Sequence, residues 1–412
     1  MNERTILHVD ANNFYASVEC MLHPELRGYP IAVCGDVEER HGIVLAKNYS
    51  AKAYGISTGE AIWQAKQKCK DLIIVPPHYD DYMKISKAAR DIYCDYTDKV
   101  EPFGMDECWL QLWGKKYDEK DGINTANAIR DRIKVELGIT VSVGVSFNKV
   151  FAKLGSDLKK PDAVTVVPKD SFQEKIWGLP ASDMLGIGRA TEKKLASVGI
   201  RTIGDVATWP VEYFEHKLGK NGVMLWRFAN GMDTSPVENK DYEMLDKSCG
   251  HGITTLQDLE NAGEVWNIML ELSQDIGHRL REGNKKATGV AIMIRDSELM
   301  TRQWQCGVNL PTYSPTIIAK EAFSLFQRSY SWQRPIRSVT VRAINLAPAD
   351  GSFQLDLFTD AEKQAKAEAL DKAIDDLRMR FGKHIIRNAC LLNNPKMPDF
   401  EHKITMPNGV PC

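Results

Sequence analysis

Three acidic residues, each at or beside the end of a predicted strand, are candidates for a catalytic or metal-binding role. Asp10 ends a short apolar segment typical of a buried strand, and Asp106 and Glu107 stand together in a predicted hairpin. If both strands belong to one sheet, the three carboxylates meet at one edge. Carboxylates held together repel each other unless their pKa values rise or a cation binds between them. Oxygen ligands favour hard ions such as Mg²⁺, so the pattern indicates a magnesium site.

Two magnesium ions about 4 Å apart can hold the attacking and the leaving oxygen of a phosphoryl transfer. The attacking group would be a 3′-hydroxyl and the electrophile a nucleotide α-phosphate, with positioned cations supplying most of the catalysis. Each acid also has an ordinary explanation. Asp10 could cap a helix that begins near Asn12, and Asp106 could serve a turn. The residues around the acids decide between these interpretations.

Strand and helix patterns alternate around the acids. Strands are predicted at 5–10, 100–103, 107–112, 140–145 and 164–167, and helices at 12–22, 123–137 and 150–157. Residues 168–232 change to short helices around two glycine-rich turns, and residues 247–346 return to strands and helices. A last charged helix carries an apolar stripe of Leu370, Ile374, Leu377 and Phe381. The sequence therefore predicts an α+β protein of several domains.

Bulk composition fits a globular protein and narrows its setting. The 412 residues are 43% hydrophobic and 26% charged, without an apolar run long enough to cross a bilayer. The first residues lack the pattern of a signal peptide, so we expect a cytoplasmic protein. The nine cysteines form no Cys-x-x-Cys pair and are expected to be reduced. A net charge of −2 weighs slightly against a nucleic-acid partner, although charge can be segregated by face.

Several motifs together resemble those of the Y-family (translesion) DNA polymerases. The segment DANNFYASVE from Asp10 resembles the opening motif of the family, and GMDEC from Gly104 resembles its second acidic motif. AKNYSAKAYGI from Ala46 resembles the fingers motif, and VGVSFNKVFAK from Val143 resembles the palm segment, which is completed by DLKKP from Asp157. These motifs occur in the order of the family and span most of the chain, which makes the resemblance specific.

The resemblance implies a right-hand polymerase fold with a helical thumb and a little finger made of a four-stranded sheet with two helices. The implied domains are palm 1–20 and 78–168, fingers 21–77, thumb with a helix-hairpin-helix 169–233, linker 234–246, little finger 247–347 and a clamp-binding tail with a helix 348–412.

The resemblance also implies roles for single residues. Asp10, Asp106 and Glu107 would bind two Mg²⁺ ions with the Ala11 carbonyl, and Tyr15 would exclude a ribose 2′-OH. Nucleotide contacts are implied for Tyr49, Lys52 and Lys160 at the triphosphate and for Ile43 and Leu45 above the nascent base pair. Without the motifs, Tyr15 would be explained as a core aromatic and Lys160 as a solvated lysine.

Three positions depart from the common family pattern. Many relatives carry arginine where Lys52 stands, and lysine cannot make the forked phosphate contact of arginine. Many have a second aspartate where Asn12 stands, so position 12 is not counted as a metal ligand. Leu45 is bulkier than the residue in some relatives, which bears on the lesions that fit.

Two further segments resemble DNA-binding modules of the family. LGIGRATEKKL from Leu185 looks like a helix-hairpin-helix, in which the backbone at Gly186 and Gly188 would contact a DNA phosphate. An ordinary helix–glycine–helix corner is the alternative. KSCGHGITT from Lys247 resembles the start of the little finger, where the predicted phosphate contacts are Arg295, Arg302, Arg337 and Arg342.

The segment QLDLF resembles the peptide that binds the bacterial sliding clamp. It comprises Gln354, Leu355, Leu357 and Phe358 around an aspartate, and follows a Gly-Ser loop. Leu357 and Phe358 would fill an apolar groove on the clamp. The alternative is that they anchor the following helix locally.

The implied function is template-directed DNA synthesis across damaged template, with low fidelity and low processivity. The implied substrates are primer-template DNA and deoxynucleoside triphosphates, and the protein is expected to be a monomer with no membrane contact. Two other functions remain open at this stage: a non-catalytic scaffold for DNA and clamp, and another two-metal palm enzyme such as a nucleotidyl cyclase.

Overall fold

A computed structural model of the chain describes residues 4–37, 40, 42–114, 117–242, 246–351, 361–382, 385–392 and 396. These residues divide into two compact units. The first comprises residues up to 35 and from 43 to 242, and the second comprises residues 36–42 and those from 246 onward. The mixture of strands and helices confirms the α+β, multidomain class predicted from the sequence. None of the described helices is long and apolar enough to cross a lipid bilayer.

The first unit contains two sheets. Its strands are β1 (Ile6–Ala11), β2 (Ile31–Cys34), β3 (Val44–Lys47), β4 (Ile73–Val75), β5 (Val100–Pro102), β6 (Glu107–Gln111), β7 (Val141–Ser146) and β8 (Val164–Val166). The larger sheet has the order β5-β6-β1-β7-β8, and the smaller has the order β3-β2-β4. Its α-helices are α1 (Phe14–Leu22), α2 (Tyr49–Ala53), α3 (Ile62–Lys68), α4 (Tyr79–Cys94), α5 (Glu119–Leu137), α6 (Lys149–Leu158), α7 (Phe172–Ile176), α8 (Arg189–Ala196), α9 (Ile203–Thr208), α10 (Val211–Leu218) and α11 (Lys220–Ala229).

Strand β1 lies at the centre of the larger sheet and is buried along its whole length. It runs antiparallel to β6, with Leu7 opposite Leu110 and Asp10 opposite Glu107. It also runs antiparallel to β7 on its other side. A strand buried on both faces requires a nearly continuous apolar sequence, which explains the short apolar segment before Asp10. The register therefore places the first predicted acid directly beside the third.

Helix α6 packs against β7 at a point where two glycines face each other. A Cβ atom added to Gly144 would lie 1.9 Å from the carbonyl oxygen of Ala152 and 2.5 Å from the nitrogen of Ser156. Gly155 occupies the other side of the same contact, because its added Cβ would lie 3.1 Å from the Gly144 Cα. This close approach fixes α6, which carries Lys153 and Asp157, against the sheet that carries the acids.

The smaller sheet is an insertion between two helices that contact each other. The chain leaves the larger sheet through α1 and returns to it through α4. Tyr82 on α4 donates a hydrogen bond to the fully buried Glu19 on α1, and His78 Nδ1 lies 2.9 Å from the same carboxylate oxygen. The small sheet, α2 and α3 have an apolar core of their own between these helices.

The segment that follows α11 is fixed to the first unit rather than free. Val237 is fully buried in a cluster with Ile6 and Trp109. The Glu238 nitrogen donates a hydrogen bond of 3.0 Å to Glu101 Oε2. The polar sequence that predicted a linker at 234–246 gave no sign of these contacts.

The second unit is a four-stranded antiparallel sheet with helices on one face. Its elements are β9 (Ser248–Leu259), α12 (Ala262–Glu282), β10 (Lys285–Asp296), β11 (Thr301–Thr312), α13 (Pro315–Ser329), β12 (Ile336–Pro348) and α14 (Ala361–Phe381). The strand order is β11-β10-β12-β9. Helices α12 and α13 pack on the sheet around a large apolar core. Four strands and these two helices are the arrangement expected for the little finger.

Helix α14 contacts the rest of the second unit through charged residues. Arg281 Nε lies 2.6 Å from Asp375 Oδ2, and Lys286 Nζ lies 3.0 Å from Glu368 Oε2. Three residues of the predicted apolar stripe, Leu370, Leu377 and Phe381, are exposed. Among the described side chains of this helix, ion pairs are therefore a main contact with the rest of the unit.

Candidate active site

The three predicted acids line one cleft in the first unit. Asp10 and Glu107 face each other across β1 and β6, and the Ala11 nitrogen donates a hydrogen bond of 2.9 Å to the Asp106 carbonyl. The cleft has a volume of about 530 Å³. The structure thus brings the acids together as the sequence pattern predicted, while their catalytic role stays a prediction.

Other predicted residues line the same cleft, together with several that the sequence did not single out. Ala11, Tyr15, Leu45 and Lys160 belong to the predicted set. The additional lining residues are Asn13, Phe14, Ala46, Lys47, Thr58, Lys153 and Asp157. Three predicted nucleotide contacts are not among the lining residues, namely Ile43, Tyr49 and Lys52.

Burial controls the charge of the acids. It raises the pKa of Asp106 to about 6, and the negative charge of Glu107 adds to this shift. Burial also raises the pKa of Asp10, although the nearby Lys160 opposes the shift. Burial acts in the same direction on Glu107, but hydrogen bonds from His8 and Lys153 and the charge of Lys153 outweigh it and lower the pKa to about 2. A cation in this cleft would favour the ionised form of both aspartates.

Two lysines supply positive charge to the cleft. Lys160 Nζ lies 2.8 Å from Asp10 Oδ2 and 2.9 Å from Asp157 Oδ1, and Lys153 donates a hydrogen bond to Glu107. Among the described residues, no three His, Cys, Asp or Glu side chains are arranged to hold a metal ion as they stand. Asp10 and Glu107 each form an ion pair with one of these lysines. The donor set still suits a hard divalent cation, since it consists of carboxylate and carbonyl oxygens.

Lys153 and His8 are contacts of Glu107 that sequence reasoning did not assign. His8 is fully buried, with Nδ1 2.8 Å from Ser156 Oγ and Nε2 3.1 Å from Glu107 Oε2. Burial lowers the pKa of His8, which favours the neutral ring. The alternation of β1 places His8 on the same face as Asp10, and Lys153 shares a face of α6 with Asp157. These spacings could be read from the sequence. The sequence did not show that this face of β1 and this face of α6 both meet Glu107.

Tyr15 belongs to a cluster of aromatic rings beside the acids. Its ring stacks on Tyr82 with the centroids 4.5 Å apart, and it meets Tyr79 edge-on at 5.7 Å. Its hydroxyl lies 3.6 Å from Met105 Sδ. Tyr15 is therefore both a packed aromatic and a wall of the cleft, so the two interpretations of this residue are compatible.

The remaining predicted nucleotide contacts lie on the smaller sheet and the helix beside it. Tyr49 and Lys52 are on α2, and Lys52 Nζ lies 5.6 Å from the centroid of the Tyr49 ring. Burial raises the pKa of Tyr49, while Lys160 lowers it and Asp10 raises it further. Ile43 forms a bridge with Ala61 and is 42% exposed.

The glycine-rich turn of the predicted helix-hairpin-helix precedes α8. Gly186 has a φ of +93°, a conformation that glycine adopts without the Cβ penalty. Gly188 caps α8, and its carbonyl accepts a hydrogen bond from the Glu192 nitrogen. The turn thus has the backbone geometry on which the predicted phosphate contact depends.

The four predicted arginine contacts do not share one face of the sheet in the second unit. Arg342 pairs with Ala291 across β12 and β10, and Arg295 pairs with Thr301. Both alternate with buried residues and so belong to the face opposite the helices. Arg302 pairs with Ile294, whose side chain is buried under the helices, so Arg302 belongs to the helix-covered face. Arg337 lies at a register shift of β12.

The predicted clamp-binding residues Gln354, Leu355, Leu357 and Phe358 lie outside the described residues. The same is true of the Gly-Ser loop from its serine onward and of residues 397–412.

The fold has a counterpart among solved structures. It matches a solved structure, the Y-family DNA polymerase chimera Dbh-Dpo4(243-245)-Dbh, with a TM-score of 0.74 over 84% of this chain and 99% of that chain at 24% identity. Three family models match the sequence. The impB/mucB/samB family matches residues 9–157, its C-terminal domain matches 246–357, and the thumb domain of DNA polymerase-iota matches 182–233.

Curated relatives are similar over almost the whole chain. DNA polymerase IV of Acetivibrio thermocellus is 50% identical over 95% of this chain and 98% of its own length. DNA polymerase IV 1 of Bacillus subtilis is 35% identical over 94% of this chain and 93% of its own length. The chain belongs to the Y-family of DNA polymerases, in the impB/mucB/samB family. It is a DNA-directed DNA polymerase of the translesion type, as the motifs in its sequence predicted.

Proposed function

We propose that the cleft joins a deoxynucleotide to a primer 3′-hydroxyl with two Mg²⁺ ions bound by Asp10, Asp106, Glu107 and the Ala11 carbonyl. The observation that carries this proposal is the pairing of Asp10 with Glu107 across adjacent strands, next to Asp106 in the same cleft. When bound, the ions would polarise the α-phosphate and lower the pKa of the primer hydroxyl. The residues of the chain position these groups and exclude the wrong substrates.

Lysines and aromatic residues around the acids have the chemistry to bind the incoming nucleotide. Lys160 would exchange its contact with Asp10 for triphosphate oxygens, supported by Tyr49 and Lys52 on the neighbouring helix. Ile43 and Leu45 would cover the nascent base pair. Tyr15 would close the space at the 2′ position of the sugar.

Low fidelity follows from how little protein covers the base pair. The smaller sheet has only three short strands. Of the two residues predicted to cover the base pair, Ile43 and Leu45, only Leu45 lines the cleft. A loosely covered pair leaves discrimination mostly to base pairing itself, whose selectivity is limited. The turn at Gly186 and Gly188 and the arginines of the second unit would hold DNA through phosphates, which carry no sequence information. We therefore also expect low processivity.

Primer extension tests the proposed reaction. We expect the purified protein to extend a primer on undamaged and on lesion-containing templates when Mg²⁺ is supplied, and to stop in excess chelator. DNA binding without extension would favour a non-catalytic scaffold instead. Turnover of nucleotide without any DNA would favour a cyclase-like enzyme, which has no need of a helix-hairpin-helix or a DNA-binding sheet.

We further propose that the enzyme works as a cytoplasmic monomer.

We also propose that Gln354, Leu355, Leu357 and Phe358 bind the bacterial sliding clamp. Support for clamp binding comes from the sequence, where the two large apolar residues Leu357 and Phe358 follow a Gly-Ser loop. Replacing both Leu357 and Phe358 with alanine is expected to weaken clamp binding at least about 100-fold, since such anchors carry most of the affinity. Binding can be measured by surface plasmon resonance.

Thr359→Ala is the matched control for clamp binding, because it changes the adjacent position and keeps both anchors. Primer extension without clamp should be the same for the wild type and both variants. Unchanged clamp affinity in the double variant would contradict the proposal.

A further inference from the structure

Asn12 uses its whole side-chain amide to join three parts of the first unit. The residue is 2% exposed. Its Oδ1 accepts hydrogen bonds from the Asp162 nitrogen at 2.9 Å and from Thr140 Oγ1 at 3.0 Å, and its Nδ2 donates to Ser142 Oγ at 2.9 Å. The orientation of the amide is settled by the Asp162 N–H, which can only donate. Asn12 therefore links the end of β1, the start of β7 and the loop between α6 and β8.

The loop that receives this contact carries Lys160. Asp162 has a φ of +52°, and its backbone N–H points back to Asn12. Its carboxylate is held from the other side by α5, with Arg130 Nε at 3.2 Å and Lys134 Nζ at 2.8 Å. The loop is thus anchored both to the strand that carries Asp10 and to a helix behind the sheet.

We propose that Asn12 is a positioning residue that sets the place of Lys160 in the nucleotide site. Lys160 stands two residues before the anchored nitrogen, and its Nζ lies 2.8 Å from Asp10 Oδ2 in the cleft. The inference rests on the proposed contact between Lys160 and the triphosphate. Losing the anchor would let the loop shift, and a displacement of about 1 Å at a charged contact weakens binding of the nucleotide.

An amide performs this task without adding charge. A carboxylate at position 12 could accept hydrogen bonds from the Asp162 nitrogen, Thr140 and Ser142, because both hydroxyls can rotate to donate. It would place another negative charge two residues from Asp10, beside a cleft in which burial already disfavours the ionised form of Asp10 and Asp106. Asn12 keeps the same geometry and leaves Lys160 to balance the acids that line the cleft.

Steady-state incorporation of a single nucleotide separates this role from a merely structural one. Asn12→Ala removes all three hydrogen bonds of the amide, and only the one from the Asp162 nitrogen holds the loop. Losing that one contact is expected to raise the KM for the nucleotide roughly ten-fold, with kcat changed much less. Asn12→Asp keeps the acceptor for the loop but adds a negative charge, so it is expected to give a KM between those of Asn12→Ala and the wild type. Asn12→Ser keeps a polar group but is too short to reach the loop, and replaces the alanine variant if that variant does not fold.

Ser142→Ala is the matched control, because it removes a partner of the same buried amide and leaves the loop contact intact. Its KM should stay near the wild-type value, so equal rises for Ser142→Ala and Asn12→Ala would overturn the inference.

Lys160→Ala is the reference variant for the proposed contact with the triphosphate. If it raises KM and Asn12→Ala does not, this inference alone fails. If Lys160→Ala leaves KM unchanged, the proposed role of Lys160 fails as well. In a double variant that combines Asn12→Ala with Lys160→Ala, the KM should rise no further than in Lys160→Ala alone.

Discussion

Replacing Asp106 with asparagine is expected to reduce primer extension by about 1000-fold or more, because it removes one of the carboxylates proposed to bind the metal ions. The amide has nearly the same size and shape, so the loss would come from charge rather than packing. Rates can be compared in single-turnover extension with saturating DNA and Mg²⁺. Extension at the wild-type rate would remove Asp106 from the catalytic assignment.

The same substitution is expected to make the fold more stable. The pKa of Asp106 is raised from 3.8 to about 6, so the folded protein disfavours the ionised form. A shift of this size corresponds to at most about 3 kcal/mol, and the cost applies above the folded pKa and disappears below the unfolded value. In chelator at pH 8, the free energy of unfolding of Asp106→Asn should therefore exceed that of the wild type. At pH below 4 the two should converge.

Asp98→Asn is the matched control for both measurements. Asp98 forms an exposed ion pair with Lys240 on the same unit, away from the cleft. We expect extension at the wild-type rate and a change in the free energy of unfolding within about 1 kcal/mol, as for other surface pairs. A loss of activity accompanied by a gain of stability should therefore be specific to Asp106.

Replacing Tyr15 with alanine is expected to reduce the preference for deoxynucleotides over ribonucleotides by roughly 10- to 100-fold, the factor that corresponds to relieving a steric overlap of a few kcal/mol. The ring is held in place by stacking on Tyr82, so the wild-type protein cannot easily move it aside for a 2′-OH. The ratio of kcat/KM for matched deoxy- and ribonucleotides measures the effect.

Tyr15→Phe is the control for this experiment. It keeps the stacked ring and loses only the contact of the hydroxyl with Met105 Sδ at 3.6 Å. Its sugar discrimination should remain close to that of the wild type. Equal discrimination by the wild type and Tyr15→Ala would show that another group excludes the 2′-OH.

The meeting of the acids could be predicted because the signals are local and strong. The apolar run before Asp10 and the strand pattern after Glu107 each mark a strand that ends at an acid, and their pairing is confirmed by the register of β1 and β6. The family motifs added the order of the domains. Neither source could place Lys153 against Glu107, because that contact depends on how closely α6 approaches the sheet at Gly144.

Other features escaped prediction for equally physical reasons. Strand β4 has three residues, too few to show a period. The stripe that includes Leu370 and Phe381 predicted a face for packing, but the ion pairs of Asp375 and Glu368 hold the helix by its other side. The anchor of Lys160 depends on Asn12, which is distant in sequence and whose polar side chain carries no periodic signal.

The contact between α1 and α4 makes the part of the chain between them a module that can be exchanged. Its two ends leave and re-enter the larger sheet side by side, joined by the hydrogen bond from Tyr82 to Glu19. Segments whose ends lie close together can be replaced with little strain on the host fold. A homologous segment from another polymerase could therefore be grafted at this point while Asp10, Asp106 and Glu107 stay paired on their own strands.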